Sequence, residues 1–365
     1  MQDHHRIQTL LEKGVTDGIY PGAVLLVALY GEIVFFEAVG HASLIPTPSP
    51  MKKETVFDLA SLTKPLVTTL ALMKLVDEGE VGLDQPLSDV LPKPALNDKN
   101  KLTLRLILSH SAGFMDWKPF YLDLVQYRHE DRKRITREWI IEMPFAYKPG
   151  TDCRYSDLGF IILEWVIEAL CGTSLKRFIN KTFFRPLDLT NLFLCTDTPL
   201  AEEKKTSVAA TEECPWRKRV IQGEVHDENA FALGGYSGHA GLFGDAESVF
   251  SLVDMLRGHY FGERNDYFRQ KTLKDFFAKQ KIVPDCTWAL GWDTPSPKDS
   301  SAGRCFSPNS VGHLGFTGTS VWMDLEKDIT VIILSNRVHP TRNNQKIKDF
   351  RPILHDTVME QYQSF

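Results

Sequence analysis

The sequence predicts a mixed α/β fold of the α+β type, in which helices flank an antiparallel sheet built from both ends of the chain. Segments rich in β-branched and apolar residues concentrate near the two termini, whereas the long middle carries apolar residues at helical spacing. We expect residues 1–60 and 245–365 to form a sheet lobe and residues 61–244 to form a mostly helical inserted lobe. The active site is expected between the two lobes.

The individual elements follow this layout in chain order. Hydrophobic spacing predicts a helix over 7–15, strands over 23–30 and 33–39, a buried helix over 65–76, and helices over 103–108, 137–143, 158–170 and 174–183. The last third adds a helix over 246–256, β-rich segments over 288–292, 311–316, 319–324 and 329–334, and a closing helix over 346–362. Residues 208–225 are too polar for a prediction.

The composition is that of an ordinary globular chain. Its 365 residues carry a formal net charge of -5, without the basic clustering typical of a nucleic-acid or anionic-membrane surface. The dense charge run at 128–134 mixes acids with bases and fits a solvated face. Residues 21–40 are apolar, but Glu32 and Glu37 interrupt them, so we expect no membrane span. The oligomeric state is left open.

The cysteines bear on the compartment. They are scattered along the chain without a C-x-x-C pair, and the N-terminus lacks the basic and apolar regions of a secretory signal. We therefore expect reduced thiols and a cytoplasmic location, or a periplasmic one if a leader has been removed. The cysteines are Cys153, Cys171, Cys195, Cys214, Cys286 and Cys305.

The strongest chemical signal lies at Ser61 and Lys64. Pro65 suits the first turn of a helix, which places Ser61 at the helix start and Lys64 one turn later on the same face. A lysine among apolar neighbours can accept the serine proton, and the helix N-terminus favours a developing oxyanion. A lone S-x-x-K is expected roughly once by chance in a chain of this length, so other motifs must decide.

Two further stretches contain candidate residues for a catalytic site. Tyr155 and Asp157 precede a predicted helix, where either Ser156 or Asp157 taken alone would be read as a simple helix cap. His313 and Gly315 lie on a predicted strand, where taken alone the histidine would be a packed core residue. His110 is expected to be structural, tying down the loop that follows it.

A polar cluster at 223–230, together with His239, is the one candidate for a metal site. It lacks H-E-x-x-H or another close ligand spacing, so we expect no metal. The glycine-rich loop at 234–241 lacks the preceding strand and the spacing of a phosphate-binding loop, and we expect no cofactor. The polar cluster could line a substrate cleft or cap the helix that begins at Ala246, and both alternatives stay open.

Taken together, three motifs occur in this order: Ser61-x-x-Lys64, Tyr155-x-Asp157 and His313-x-Gly315. Their order and spacing resemble those of the serine penicillin-recognising enzymes, a superfamily that includes class C β-lactamases, D-alanyl-D-alanine carboxypeptidases and related esterases. The resemblance extends over residues 22–336, and the phrases at 108–113 and 291–292 are similar to those of the class C-like branch. It implies a β-lactamase-like fold.

The resemblance also implies a role for each residue. Ser61 would be the acylated nucleophile, Lys64 its base partner and Tyr155 the proton shuttle. The backbone N–H groups of Ser61 and Phe316, which follows the third motif on its strand, would form the oxyanion hole. The implied substrate-binding residues are Asp157, His313, Gly315, Asn229 and His239.

Two positions depart from the commonest pattern. Asp157 stands where the second motif usually ends in Asn, and a carboxylate can hold Lys64 as a cation, which leaves the general base open between Lys64 and Tyr155. His313 stands where the third motif often has Lys. Some carboxypeptidases and esterases of this group also have His there, so the change weakens a β-lactamase assignment more than a hydrolase assignment.

The sequence thus predicts a serine hydrolase that forms an acyl-enzyme on Ser61 and acts on a peptidoglycan-derived peptide. A D-alanyl-D-alanine carboxypeptidase is the first choice and a muramyl-peptide amidase of wall recycling the second, ahead of a β-lactamase or an esterase. The expected partner is a small-molecule or peptide substrate. From a different class, a catalytically silent binding protein on the same fold would explain Asp157 and His313 as signs of lost chemistry.

Overall fold

A six-stranded antiparallel sheet joins the two ends of the chain in the computed structural model, which describes residues 4–92, 96–198, 200 and 202–362. The strands are β1 (Gly22–Leu29), β2 (Glu32–Ser43), β3 (Ser49–Pro50), β4 (Phe57–Asp58), β5 (Phe193–Leu194), β6 (Glu213–Cys214), β7 (Arg219–Val220), β8 (Leu242–Gly244), β9 (Ser310–Leu314), β10 (Ser320–Asp324) and β11 (Ile329–Ser335).

The helices surround this sheet and fill the insert. They are α1 (His5–Thr16), α2 (Leu70–Glu78), α3 (Leu104–Leu108), α4 (Phe120–Leu124), α5 (His129–Glu142), α6 (Asp157–Cys171), α7 (Leu175–Ile179), α8 (Glu202–Lys205), α9 (Glu228–Ala232), α10 (Ala246–Phe261), α11 (Gln270–Phe277) and α12 (Ile347–Tyr362). Short 3-10 or π-helical segments cover Ala60–Leu62, Lys64–Thr69, Leu87–Asp89, Asn97–Lys99 and Asn180–Phe184.

The alternation of side chains along β1 explains how the sheet is buried. Val24 and Leu26 pack into the large core that continues into the helical insert, whereas Leu25 and Val27 pack into a second core with α1 and α12. Leu26 lies opposite Ile332 of β11. Because helices cover both faces, β1 is apolar along its whole length.

The strand order β3-β2-β1-β11-β10-β9 confirms the predicted sheet from both termini and places β9 at an edge. His313 of β9 lies opposite Val321 of β10. The predicted lobe boundaries, 60/61 and 244/245, stay predictions, and residues 1–3 and 363–365 lie outside the described residues.

No single helix among the described residues is long and apolar enough to cross a membrane. One bent pair, Asp157–Cys171 with Leu175–Phe184, passes the same test of length and composition across a bend of 67°. Most of the apolar side chains of α6 are buried in the large core, as expected for an internal helix of a globular domain.

Helix α5 begins well before the predicted residue 137, because the charge run at its start forms helix-stabilising pairs. Arg134 contacts Asp131 three residues earlier and Glu138 four residues later. The mixed charges at 128–134 therefore belong partly to a helix rather than to a loop.

The predicted strand at 288–292 is wrong. This segment turns back on itself, with the Ala289 N–H donating to the Trp292 carbonyl and Gly291 in the left-handed region at φ 73°. The next residue, Asp293, forms an isolated bridge with Gly312 of β9. The bulky apolar residues of this segment resemble a strand in sequence, but they fill a turn beside the candidate site.

The expectation of six reduced cysteines is wrong for two of them. Cys153 and Cys286, separated by 133 residues, form a disulfide between the loop before α6 and the segment after α11. Such bonds are more typical of oxidising compartments, so the cytoplasmic location stays a prediction without support from these two residues. The other four cysteines lie outside any disulfide.

Replacing Cys286 by Ser is expected to lower the free energy of unfolding by about 2–4 kcal/mol, because the bond closes a long loop in the unfolded chain. Urea unfolding of the oxidised protein measures this difference, and a thiol reductant should abolish it. Cys171→Ser is the control, since Cys171 is outside the disulfide. Equal stability of Cys286→Ser and wild type under oxidising conditions would contradict the prediction.

Candidate active site

The turn that carries Ser61 is held in place by a buried carboxylate. Ser61 lies in the 3-10 turn Ala60–Leu62, directly after β4, and Ala60 adopts a left-handed backbone conformation at φ 48°. The Ala60 N–H donates to Asp58 Oδ1 at 2.8 Å, and the His226 N–H donates to Asp58 Oδ2 at 2.6 Å. These bonds hold Ser61, which is partly exposed, in place above buried residues.

Lys64 lies fully buried below Ser61, on the π-helical segment that leads into α2. Its Nζ is 3.0 Å from Ser61 Oγ, 2.6 Å from Asp157 Oδ1 and 3.1 Å from the carbonyl oxygen of His239. Burial alone would lower the pKa of Lys64. Asp157, and then Tyr155, raise this pKa by more than burial lowers it, so that it lies above its usual value. Lys64 is therefore an ammonium group at rest, which donates to Ser61 Oγ and the His239 carbonyl and forms an ion pair with Asp157.

The loop before α6 positions the second motif. Ser156 caps the helix, its Oγ accepting the Gly159 N–H at 3.3 Å, and its own N–H donates to His110 Nδ1 at 3.0 Å. Asp157 is consequently the first residue of α6, where it reaches Lys64. His110 thus has a structural role, but the loop it holds is the one before α6 and not the predicted loop that directly follows it.

Tyr155 packs beside Lys64 within a group of aromatic rings. Its ring centroid lies 4.7 Å from Lys64 Nζ, 4.8 Å from the ring of His110 and 5.6 Å from that of Trp288. Burial raises the pKa of the Tyr155 hydroxyl by more than Lys64 lowers it, so the phenol is neutral at rest. Both candidate bases thus start in their protonated forms.

The third motif approaches Ser61 because residue 315 is a glycine. A Cβ at Gly315 would lie 2.0 Å from Thr319 Oγ1 and 2.6 Å from the Leu59 carbonyl oxygen. Thr319 Oγ1 donates to that same carbonyl at 3.1 Å, and Thr317 Oγ1 donates to the Asp58 carbonyl at 2.8 Å. The turn after β9 is thereby docked against the turn that carries Ser61.

Phe316 lies in this turn and not on the strand, because β9 ends at Leu314. Neither its N–H nor that of Ser61 has a hydrogen-bond acceptor within the described part of the chain. Both residues line the same cavity of about 650 Å³. Two unpaired backbone donors beside a serine hydroxyl could stabilise an oxyanion.

His313 is a neutral imidazole in the wall of the cavity. Its Nδ1 donates to the Leu314 carbonyl at 2.8 Å, which leaves the buried Nε2 without a partner among the described residues. Burial, and then the nearby Lys64, lower the pKa of His313 to about 3. The third motif therefore brings no positive charge into the cavity.

Asn229 and His239, both predicted to bind substrate, are buried and are not among the residues that line the cavity. Asn229 Nδ2 donates to the Lys118 carbonyl at 2.8 Å, and its Oδ1 accepts the Tyr121 N–H at 3.0 Å. These bonds anchor the loop around α4, while the carbonyl of His239 accepts from Lys64. Their contact with substrate stays a prediction.

Ligand-type atoms of Asp157, Asp227 and His239 lie within 4.8 Å of one another. The Lys64 ammonium already contacts Asp157, and His239 Nε2 lies 2.9 Å from Asp227 Oδ1. Burial lowers the pKa of His239, but Asp227 raises it more, so this pair too favours opposite charges. Because cationic side chains already compensate both carboxylates, the arrangement does not suit a divalent ion.

Many residues that line the cavity were not predicted from sequence, among them Trp288, Arg337 and Arg351. Trp288 contacts Tyr155 and His313, each at 5.6 Å between ring centroids. Its place in the cavity was not predicted because residues 288–292 were expected to form a strand. Arg337 follows β11 and Arg351 lies on α12, and neither belongs to a recognisable motif.

The fold and this cluster define a protein of the penicillin-recognising hydrolase type. The chain belongs to the beta-lactamase family, whose family model matches residues 7–353. It is 32% identical over 366 residues to N-acetylmuramyl-L-alanine amidase of Bacillus subtilis strain 168, covering 92% of this chain and 81% of that protein. It is 33% identical over 358 residues to an Escherichia coli K12 protein named provisionally as a D-alanyl-D-alanine carboxypeptidase, covering 90% and 81%.

Solved structures agree on the fold. EstCE1, a hydrolase with promiscuous acyltransferase activity, superposes with a TM-score of 0.73 at 24% identity, covering 95% of this chain and 98% of that one. A penicillin-binding protein homologue from Pyrococcus abyssi gives a TM-score of 0.69 at 20% identity, covering 96% and 77%. The predicted family and fold are thus confirmed.

Gly315→Ala is expected to reduce labelling of Ser61 by a fluorophosphonate about a hundredfold, the effect of misplacing a site by roughly an ångström. The added methyl group would push the turn of Phe316 away from Leu59. Gly82→Ala serves as the control, because a Cβ there meets nothing closer than 3.7 Å. Labelling of Gly315→Ala at the wild-type rate would show that the close approach is not needed.

Asp157→Asn is expected to move the rise of acylation rate with pH to lower pH. The Asp157 carboxylate raises the pKa of Lys64, so its removal makes the neutral amine available under less alkaline conditions. The measurement is the pH profile of fluorophosphonate labelling. Asp116→Asn, which changes a cavity carboxylate outside the Lys64 ion pair, should leave the profile in place. A shift to higher pH would contradict this electrostatic account.

Proposed function

We propose that the protein is a serine hydrolase that forms an acyl-enzyme on Ser61. The observation that carries the proposal is the position of Ser61 Oγ, partly exposed and 3.0 Å from Lys64 Nζ, in a cavity that Phe316 also lines. Acyl transfer requires a hydroxyl beside a group that can accept its proton once that group is itself deprotonated, together with nearby backbone donors.

In the acylation step, Ser61 Oγ attacks the substrate carbonyl carbon while its proton passes to the base. Lys64 and Tyr155 are both protonated at rest and lie close together, so they titrate as a coupled pair that must lose one proton to become active. The carbonyl oxygen becomes an oxyanion beside the N–H groups of Ser61 and Phe316. Each such donor typically lowers the barrier by about 3 kcal/mol.

The leaving group departs when the tetrahedral intermediate collapses. The bond from the carbonyl carbon to the amide nitrogen breaks, and the proton taken from Ser61 is delivered to that nitrogen by the Lys64 and Tyr155 pair. A water molecule then attacks the ester, giving its proton to the same pair. The bond to Ser61 Oγ breaks, Ser61 regains a proton, and the free acid is released.

The proposed substrate is a peptidoglycan-derived peptide, with D-alanyl-D-alanine carboxypeptidase as the first activity. The provisional name of the Escherichia coli relative supports it. A muramyl-alanine amidase is the second candidate, favoured by the name of the Bacillus subtilis relative. In both reactions the scissile amide bond joins an acyl group to an amino acid, and the same acylation chemistry serves each.

A catalytically silent binding protein is the competing hypothesis. Its support is that Asp157 holds Lys64 as a cation and that His313 is neutral. The unpaired backbone donors beside Ser61 favour the enzyme instead. The two hypotheses differ in whether Ser61 becomes covalently modified.

Wild-type protein is expected to gain the mass of a penicilloyl group after incubation with benzylpenicillin, or to cleave a diacetyl-lysyl-D-alanyl-D-alanine or N-acetylmuramyl-L-alanine probe. Ser61→Ala should lose labelling and slow cleavage at least about 1,000-fold, because no other group replaces the nucleophile. Ser251→Ala, at an exposed position of α10, is the control.

Intact-protein mass spectrometry and amino-acid release are the two readouts. A stable adduct would favour slow deacylation, as expected of a carboxypeptidase. Release of L-alanine without an adduct would favour the amidase. Neither an adduct nor a product, nor any fluorophosphonate label on Ser61, would refute the hydrolase and leave the binding protein.

A further inference from the structure

Helix α6 carries a second carboxylate on the face that presents Asp157. Glu164 lies about two helical turns after Asp157, and only 1% of its side chain is exposed. Burial raises the pKa of Glu164, but the charges of Lys133 and then Arg137 lower this pKa by more, so Glu164 is ionised. Burying an ionised carboxylate is costly, and its position therefore calls for an explanation.

The two oxygens of Glu164 have different partners. Oε1 lies 2.5 Å from the ammonium group of Lys133 on α5, which compensates the buried charge. Oε2 accepts the Ser237 hydroxyl at 2.6 Å and the Gly238 N–H at 3.1 Å. Glu164 thus connects an ion pair to the 237–240 loop.

The 237–240 loop is held between α6 and the π-helical segment that carries Lys64. A Cβ at Gly238 would collide with the carbonyl oxygen of Phe160 in α6. On the other side, Thr68 Oγ1 of the π-helical segment donates to the Gly238 carbonyl at 2.6 Å. Because its neighbours are in contact on both sides, the loop cannot shift without disturbing one of them.

This loop supplies an acceptor to Lys64. The carbonyl oxygen of His239 lies 3.1 Å from Lys64 Nζ. The His239 ring is held separately, since its Nε2 lies 2.9 Å from Asp227 Oδ1. The backbone of His239 directly follows Gly238, whose N–H is bound by Glu164, so this carboxylate restrains the chain at the point where its carbonyl meets the ammonium group.

We propose that Glu164 is a positioning residue, which holds the 237–240 loop so that the His239 carbonyl stays within hydrogen-bond reach of Lys64. This role rests on the proposed hydrolase function. One face of α6 then sets two contacts of Lys64, directly through Asp157 and indirectly through Glu164. Glu164 is not among the residues that line the cavity, so it affects acylation only by fixing the geometry of the base.

Other titratable groups surround Lys64 and are left in place by a change at position 164. Each either shifts the pKa of Lys64 or has its own pKa shifted by the charge of Lys64, and none is hydrogen-bonded to Glu164 within the described part of the chain. They are His110, Tyr155, Asp157, Asp227, His239 and His313.

Glu164→Gln keeps the size of the side chain and removes its charge. Lys64 should then lose much of its bond to the His239 carbonyl, which stabilises the ammonium group, so the pKa of Lys64 should fall. The rise of fluorophosphonate labelling with pH should move to lower pH by roughly one unit, since a hydrogen bond to a charged group corresponds to about one to two pKa units. The maximal labelling rate should fall roughly tenfold, because the amine is less well placed.

Glu168→Gln is the matched control. Glu168 lies one turn later on α6 and also pairs with a cation of α5, Arg137 at 2.5 Å, but its other oxygen accepts the Leu175 N–H instead of a donor from the 237–240 loop. Both substitutions therefore remove one ion pair between α5 and α6. Only Glu164→Gln should move the pH profile of labelling.

A milder variant covers the case in which Glu164→Gln does not fold. Ser237→Ala removes one hydrogen bond to the loop, while Glu164 keeps its charge and its pairing with Lys133. It should move the pH profile in the same direction by a smaller amount. A shift to higher pH in either variant, or an equal shift in Glu168→Gln, would overturn the positioning role.

A measurement without catalysis separates this role from the hydrolase itself. In the Asp157→Asn background, where the Lys64 pKa is expected to be lower and easier to reach, NMR follows the Lys64 Cε signal through its titration. Adding Glu164→Gln should lower this pKa further, and adding Glu168→Gln should not. A lowered Lys64 pKa in a protein that never labels would refute the hydrolase and retain the positioning role, whereas an unchanged Lys64 pKa would overturn that role even if the protein labels normally.

Discussion

The buried ion pair between Lys64 and Asp157 is the interaction on which the rest of the site depends. Removing an ammonium group from water is costly, and a lysine with no exposed surface is stable only when its partners are already in place. Asp157 is supplied by α6, and the remaining acceptors come from Ser61 and the loop of His239. Lys64 can therefore be buried as a cation only when the insert is correctly packed.

Much of this arrangement could be predicted from sequence, because its parts are local. The spacing of Ser61 and Lys64 defines a shared helix face, and Ser156 is a recognisable cap. Other parts depend on distant contacts that no local pattern reveals. Trp288 lies in an apolar run that resembles a strand until Gly291 turns it, and nothing near Arg351 in sequence indicates that its charge lacks a partner.

The two departures from the commonest motifs both make the charge of the site more negative. Asp157 adds a negative group at the floor of the cavity, which keeps Lys64 protonated. His313 withholds a positive group from the wall, and the arginines that line the cavity come instead from α12 and from the segment after β11. The same fold can thus keep Ser61 and its neighbours while the electrostatic field inside the cavity changes.

The pairing of β1 with β11 has a consequence for how the molecule is made. Ala23 lies opposite Ser335, so the central pair of the sheet joins segments that the whole helical insert separates in the chain. β1 can pair with β2 as soon as both are synthesised, but its other edge stays open until the helical insert and then β11 have emerged. The turn after β9, which completes the surroundings of Ser61, follows the whole insert in the chain. The surroundings of Ser61 consequently stay incomplete until β9 and the turn after it have been translated.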